Sequence, residues 1–297
     1  MGQANQKRLR HRDLRSGRLK CVYCGSRSAD TVDHMPPIGA FTSRRRPNEL
    51  EFPACEGCNA ATRDVDNIIS WLSRLQMTRE PANDREFVEL TGVISRNYPE
   101  VFTSIKEPKQ VESICLPSGL IVPANFSQFE FDEYLGVVLK LFGLKFALAM
   151  HWLGTRKAPT ADDRILVWPV GSGSFAAEET PKQLLRMLPE TRALQQGRKI
   201  FSGQFVFTSH FEESKNGSVH FCAFRDSFGI FASFNPLPDD NLSDTDAEAV
   251  DSLCFRPSDL YRSYPFGLPR LTQEQLDRRE AWKRTRPVWP RQPGFIR

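Results

Sequence analysis

The sequence predicts an α+β protein in two parts: a cysteine-bearing module near the N-terminus, then a domain built on one long helix and an antiparallel sheet. Three observations predict it. Cys21, Cys24, Cys55 and Cys58 fall in two Cys-x-x-Cys pairs, a spacing that turns two thiolates toward one ion. Residues 129–153 are apolar on both sides of a helix, the pattern of a helix packed between other elements. Nine Phe fall between residues 201 and 234, a load that suits the buried face of a sheet.

The elements follow in chain order. Residues 1–20 read as a basic arm, with seven Lys or Arg and one acid, Asp13. Residues 63–79 place Ile68, Trp71, Leu72 and Leu75 at helical spacing, and Pro81 ends that helix. Residues 84–96 read as a second short helix. Residues 111–123 read as a β pair around Pro117-Ser118-Gly119. In 129–153, Leu135, Val138, Leu139, Phe142, Phe146, Ala149 and Leu153 form one stripe, with Val137, Leu141, Leu144 and Leu148 on the other side. Residues 164–170 read as a strand and 180–194 as a helix. Three strands follow at 203–211, 218–224 and 228–234, the first two joined by a turn at Asn216-Gly217. Residues 238–251 hold six acids and read as an exposed loop, and 257–297 are rich in Pro and Arg. The expected division is a basic arm over 1–19, the cysteine module over 20–79, an α+β accessory domain over 80–256 and a basic tail over 257–297.

Charge and composition narrow the function classes. The 297 residues carry 40 Lys and Arg against 36 Asp and Glu, and a 40% hydrophobic content is that of a globular chain rather than a disordered one. The net charge of +4 is unevenly spread: residues 1–20 carry +6 and residues 276–297 carry +5, leaving 21–275 at −7. Basic ends point to a polyanionic partner. The N-terminus has no apolar signal segment. The one membrane candidate, 134–153, is interrupted by Lys140 and Lys145, and charges inside a span are costly. A cytoplasmic location is expected, where an odd cysteine count argues against a disulfide framework.

The chemistry concentrates in residues 21–62. Two Cys-x-x-Cys pairs supply four thiolates, a closed tetrahedral set of the kind that holds structural Zn²⁺; Cys115, Cys222 and Cys254 read as small hydrophobes. Between the pairs runs Thr31-Val32-Asp33-His34-Met35-Pro36-Pro37. Adjacent strand residues point to opposite faces, so Asp33 and His34 share a target only at a bulge or a strand end. Given that, Asp33 suits a hard cation and His34 a general base. Among the other histidines, His151 falls at the end of the long helix, where packing or the helix dipole accounts for it. His210 and His220 flank the Asn216-Gly217 turn without a cysteine or carboxylate pattern around them.

Taken together, Cys21-x-x-Cys24, Asp33-His34-x-Pro36 and Cys55-x-x-Cys58-Asn59 resemble the HNH endonuclease family in its four-cysteine form, over roughly residues 20–75. The resemblance implies a treble-clef zinc scaffold carrying a ββα-metal nuclease core. It implies Cys21, Cys24, Cys55 and Cys58 as zinc ligands, Asp33 and Asn59 as ligands of a catalytic Mg²⁺ or Mn²⁺, and His34 as general base. The family's middle Asn, which orients the His, falls where this chain has Leu50; Asn48, two residues earlier, is the candidate for that role if a local insertion displaces it. Arg63 stands at the basic position that follows the Cys-Asn step. The implied reaction is hydrolysis of a DNA phosphodiester, leaving 5′-phosphate and 3′-hydroxyl ends, with RNA an open alternative. Arg44, Arg45 and Arg46 would contact phosphate rather than bases. Lys145 to Arg164 resembles, faintly, a helix-plus-loop element that follows HNH modules in bacterial proteins. The competing expectation is a non-catalytic zinc-binding treble-clef module for nucleic acid or protein. Oligomeric state is left open.

Overall fold

A computed structural model describes residues 18–42, 50–75, 85–105, 109–115, 121–128, 131–171, 192–193, 195–196, 199–200, 203–212, 216–225, 227–236 and 254–262. Residues 1–17 of the expected basic arm, residues 263–297 of the expected tail, Arg44, Arg45, Arg46, Asn48 and the acidic 238–251 loop lie outside the described residues.

The N-terminal part is a short antiparallel hairpin followed by a helix. Strands β1 (Thr31–His34) and β2 (Glu51–Ala54) pair in unbroken register, Asp33 opposite Phe52 and His34 opposite Glu51. Helix α1 (Glu56–Ala61) follows at once and α2 (Arg63–Leu72) continues from it after Thr62. The first turn of α1 takes the Asp30 carboxylate, which accepts from the Glu56 N–H at 2.7 Å, so a free helical donor is satisfied by a negative charge. Helix α2 ends at Leu72, short of the expected Arg79. The chain turns there because the Arg74 side chain folds back to donate to the Gly39 and Phe41 carbonyls at 2.9 and 2.6 Å.

Helices α3 (Arg85–Asn97) and α4 (Glu100–Thr103) come next, and α3 packs on α2 through Trp71, stacked on Phe87 at 6.2 Å. Strands β3 (Lys109–Cys115) and β4 (Ile121–Gln128) form a separate hairpin. The long helix α5 (Glu133–Thr155) is capped by Asp132, whose side chain accepts from the Leu135 N–H at 3.3 Å, and is closed by Arg156 in the left-handed conformation at φ 61°.

The main sheet has the order β5-β11-β10-β9-β6, from β5 (Ile165–Gly171), β6 (Arg192–Ala193), β9 (Val206–Glu212), β10 (Gly217–Phe224) and β11 (Phe228–Phe234); β7 (Gln195–Gln196) and β8 (Lys199–Ile200) form a small ladder apart. A short helix, α6 (Asp259–Arg262), closes the described chain. The helix expected over 180–194 lies mostly outside the described residues, and its last part is corrected: Arg192 and Ala193 pair with Phe207 and Val206 as an edge strand.

Helix α5 is the centre of the molecule. One side packs on the sheet, where Gly143 leaves no room for a Cβ against Val167, 2.2 Å from where it would stand. The other side packs on α2. The helix passes a length-and-hydropathy test for a membrane span, yet 78% of its most apolar stretch is buried inside the protein, which identifies a core helix. A single apolar cluster runs from Cys21 in the hairpin region to Leu260. The expected boundary at residue 80 falls outside the described residues, and packing is continuous across it.

Candidate functional site

Two knuckles bring four thiols together. In the first, the Cys21 N–H donates to the Arg27 carbonyl and the Gly25 N–H to the Cys21 carbonyl, both at 2.9 Å. Gly25 has φ +64°, and a Cβ there would stand 1.8 Å from the Pro159 carbonyl oxygen, so the knuckle is glycine for two reasons, conformation and close approach. The second knuckle is the start of α1, with Cys55 preceding the helix and Cys58 in its first turn. The sulphurs of Cys21, Cys24, Cys55 and Cys58 all lie within 4.8 Å of one another, and Cys24 and Cys55 are 4.0 Å apart. Tetrahedral Zn²⁺ with bonds near 2.3 Å needs thiolates about 3.8 Å apart, so the donor set and its spacing fit zinc. Hydrogen bonds from Cys21 and Cys58 lower the Cys24 thiol, whereas its bond to Cys24 pushes Cys21 up to about 12. The Arg27 guanidinium lies beside these sulphurs, its pKa raised first by the charge of Cys55, and shields accumulated negative charge.

The hairpin sorts the other expected residues by face. Thr31 and Asp33 point to the side of Phe52 and the core; Val32 and His34 point to the other. The register has no bulge, so β1 does not put Asp33 and His34 on one face. His34 is the last residue of the strand and is half-buried. Asn59, on α1, reaches back to β1, where its amide nitrogen donates to Thr31 Oγ1 at 3.4 Å. Asn59 therefore lies along the Asp33 side. Arg63 is exposed at the start of α2.

Asp33 is the most constrained of these residues. It is only 6% exposed. Its Oδ2 accepts from the Tyr23 hydroxyl and lies 2.9 Å from Lys145 Nζ. The same ammonium lies 2.7 Å from Asp66 Oδ2 and 5.6 Å from the Tyr23 ring centroid. Lys145 is completely buried. Burial alone would lower its pKa, but the charges of Asp33 and Asp66 outweigh that and raise it, so it is an ammonium ion. Burial raises Asp66 to about 7 against the opposing pull of Lys145, and burial followed by the Asp33 charge raises Tyr23. The network was invisible in the sequence: Lys145 lies 112 positions after Asp33, and its one signal was a charge inside an otherwise apolar helix.

Whether these residues fit a second, catalytic cation can be read from the atoms left over. Asp33 Oδ1 accepts no hydrogen bond among the described residues and is not sealed from solvent. The Asn59 side chain uses its nitrogen, which leaves its carbonyl oxygen. Both are oxygen donors of the kind a hard divalent cation takes; they fall on one side of β1, with the Lys145 ammonium as the nearby charge.

The remaining candidates resolve differently. His210 pairs with Val219 and His220 with Ser209, so the two histidines point to opposite faces of the sheet and form no site. His151 and His220 are tied together through Ser218 within the core, His151 Nδ1 to Ser218 Oγ at 2.9 Å and Ser218 Oγ to His220 Nε2 at 2.8 Å. Cys222 is a buried thiol, raised by that burial. Among the described residues, the four-cysteine cluster alone gathers three or more metal-binding side chains. Set beside known proteins, the chain matches no family model, no curated protein and no solved structure.

Proposed function

We propose that the protein is an HNH-type endonuclease: a zinc-stapled treble-clef module whose ββα core hydrolyses a nucleic-acid phosphodiester with the help of a divalent cation. The observation that carries the reading is the position of Asn59. The thiol cluster fixes the start of α1 against the hairpin, and Asn59 consequently touches Thr31, two residues before Asp33 on the same strand face. Among the described residues, an aspartate oxygen and an amide oxygen are both left without hydrogen bonds there. A binding module has no need for Asp33, His34 and Asn59 together.

In this reading His34 takes a proton from the attacking water, since imidazole is the side chain whose unperturbed basicity suits that task near neutral pH. Asp33 and Asn59 would hold Mg²⁺ or Mn²⁺, which would supply Lewis-acid stabilisation of the charge that develops on the phosphate. Tyr23 and Lys145 occupy the other oxygen of Asp33. Arg63 and the Arg44, Arg45 and Arg46 run contact the phosphate backbone without reading bases. The substrate is DNA, with RNA as the second polymer to be assayed, and the compartment is the cytoplasm.

A second reading is favoured by one specific arrangement. Asp33 is already ion-paired to Lys145 and faces away from His34, which suits a zinc module that binds nucleic acid or protein without cutting. A plasmid assay separates the two. The zinc-loaded protein should nick or linearise supercoiled DNA in Mg²⁺ or Mn²⁺ and not in EDTA. His34→Ala should slow cleavage by about 10²–10⁴-fold, the usual contribution of a general base, with unchanged circular dichroism. An intact plasmid, or equal cutting by the variant, would reject the catalytic role of His34.

A further inference from the structure

We infer that Lys145 is a resident cation at Asp33, competing with the divalent metal for that carboxylate and thereby setting the metal affinity of the site. The inference rests on the reading of Asp33 as a metal ligand. A lysine from the central helix, 112 positions away in the chain, places its ammonium 2.9 Å from Asp33 Oδ2, and its burial allows little water to screen that charge. The second carboxylate on the same ammonium, Asp66, lies 2.7 Å away, and its Oδ1 is buried without a hydrogen-bond partner. Asp66 is thus negative charge spent on holding Lys145 rather than on any donor of its own. With Asp66 ionised, Asp33, Asp66 and Lys145 leave one net negative charge for a metal to meet. Removing Asp66 takes that charge away; removing Lys145 as well gives it back.

The direction of these changes distinguishes competition from mere support. If Lys145 only buttressed the fold, deleting it would weaken whatever binds at Asp33. If it competes, deleting it strengthens binding. Making the Lys145 change in an Asp66→Asn background avoids leaving two buried carboxylates facing each other, and replacing a buried ion pair by neutral groups is commonly tolerated.

The test uses the full-length zinc-loaded protein as wild type, Asp66→Asn, and Asp66→Asn with Lys145→Met. Mn²⁺ alone is titrated and free ion is followed by electron paramagnetic resonance; zinc content and near-ultraviolet circular dichroism report the fold. Asp66→Asn should weaken Mn²⁺ binding at least threefold, and adding Lys145→Met should tighten it at least tenfold relative to Asp66→Asn. A double variant that binds Mn²⁺ no better than Asp66→Asn, or three proteins that all fail to bind it, would overturn the inference. The same opposed shifts accompanied by an uncut plasmid would sink the nuclease reading and leave Lys145 as the competitor of metal at Asp33.

Discussion

His220 is completely buried, yet both of its ring nitrogens have hydroxyl partners: Ser218 at 2.8 Å and Ser209 at 2.9 Å. Through Ser218 it is joined to His151, whose ring stacks on Phe234 with centroids 3.7 Å apart. The chain of groups satisfies polar atoms that the apolar layer between α5 and the sheet could not otherwise hold. Burial lowers His220 from the ordinary 6.5 to about 3 and His151 to about 4. Both therefore fold as neutral rings. The unfolded chain takes up their protons first as pH falls, so their contribution to stability is present above pH 6.5 and is lost below it. His220→Gln should be less stable than wild type by about 1–3 kcal/mol at pH 7.5, the cost of a damaged buried hydrogen-bond pair. That deficit should narrow on acidification, by up to about 1.4 kcal/mol per pH unit below 6.5, because the variant no longer carries the titrating ring. Denaturant melts of both proteins at several pH values measure the difference directly; Asp66, which titrates in both, cancels. A deficit that stays constant with pH would contradict a neutral His220.

The hairpin and the first helix depend on the thiol cluster. Strands β1 and β2 are four residues each and α1 is six, too short to be stable on their own. Cys21 and Cys24 precede the hairpin; Cys55 and Cys58 follow it. A metal bound by all four closes the segment that carries Asp33, His34 and Asn59. Cys55→Ser should then lose stoichiometric zinc by mass spectrometry or atomic absorption, and the hairpin with it, since metal-binding energy is folding energy in such small elements. Full zinc occupancy with an unchanged spectrum would exclude a four-thiolate site. At this scale the sequence was largely readable. The helix expected over 129–153 is Glu133–Thr155, and the strands expected over 218–224 and 228–234 are Gly217–Phe224 and Phe228–Phe234; apolar periodicity marks them because each is long and buried. The end of α2 was not readable. Leu75 continues the periodic stripe, but the chain leaves the helix where Arg74 finds carbonyl partners 33 and 35 residues earlier, a contact without a local signal.

Across the whole molecule, the two expected parts are joined by polar contacts as well as by apolar packing. Arg225, from the turn after β10, donates to the Ser73 carbonyl at 2.9 Å and the Ala40 carbonyl at 3.2 Å. Ser227 Oγ donates to the Leu72 carbonyl at 2.7 Å, and Phe52 of the hairpin meets Trp152 of α5 edge-on at 6.1 Å. Calorimetry of the zinc-loaded protein should accordingly show one cooperative transition for these elements. Arg225→Ala should lower the transition temperature, with a loss of stability of about 1.5–3 kcal/mol as expected for losing hydrogen bonds to a charged group, without splitting the transition. Two separate transitions in the wild type would show that the cysteine module melts alone.

By itself the sequence determined the α+β class, the four thiols of a cluster that could hold a metal, the long core helix and the strands that cover it. Spacing and periodicity are local properties, and each of those features is written within a few dozen residues. Only the tertiary structure decided what surrounds Asp33. Its partners come from a cysteine knuckle and from the middle of α5, where Lys145 is tolerated inside an apolar helix because two carboxylates, Asp33 and Asp66 of α2, meet it there. A buried charge is stable only where the fold supplies its counter-charge, and that pairing between distant residues exists once the helix is docked and not before.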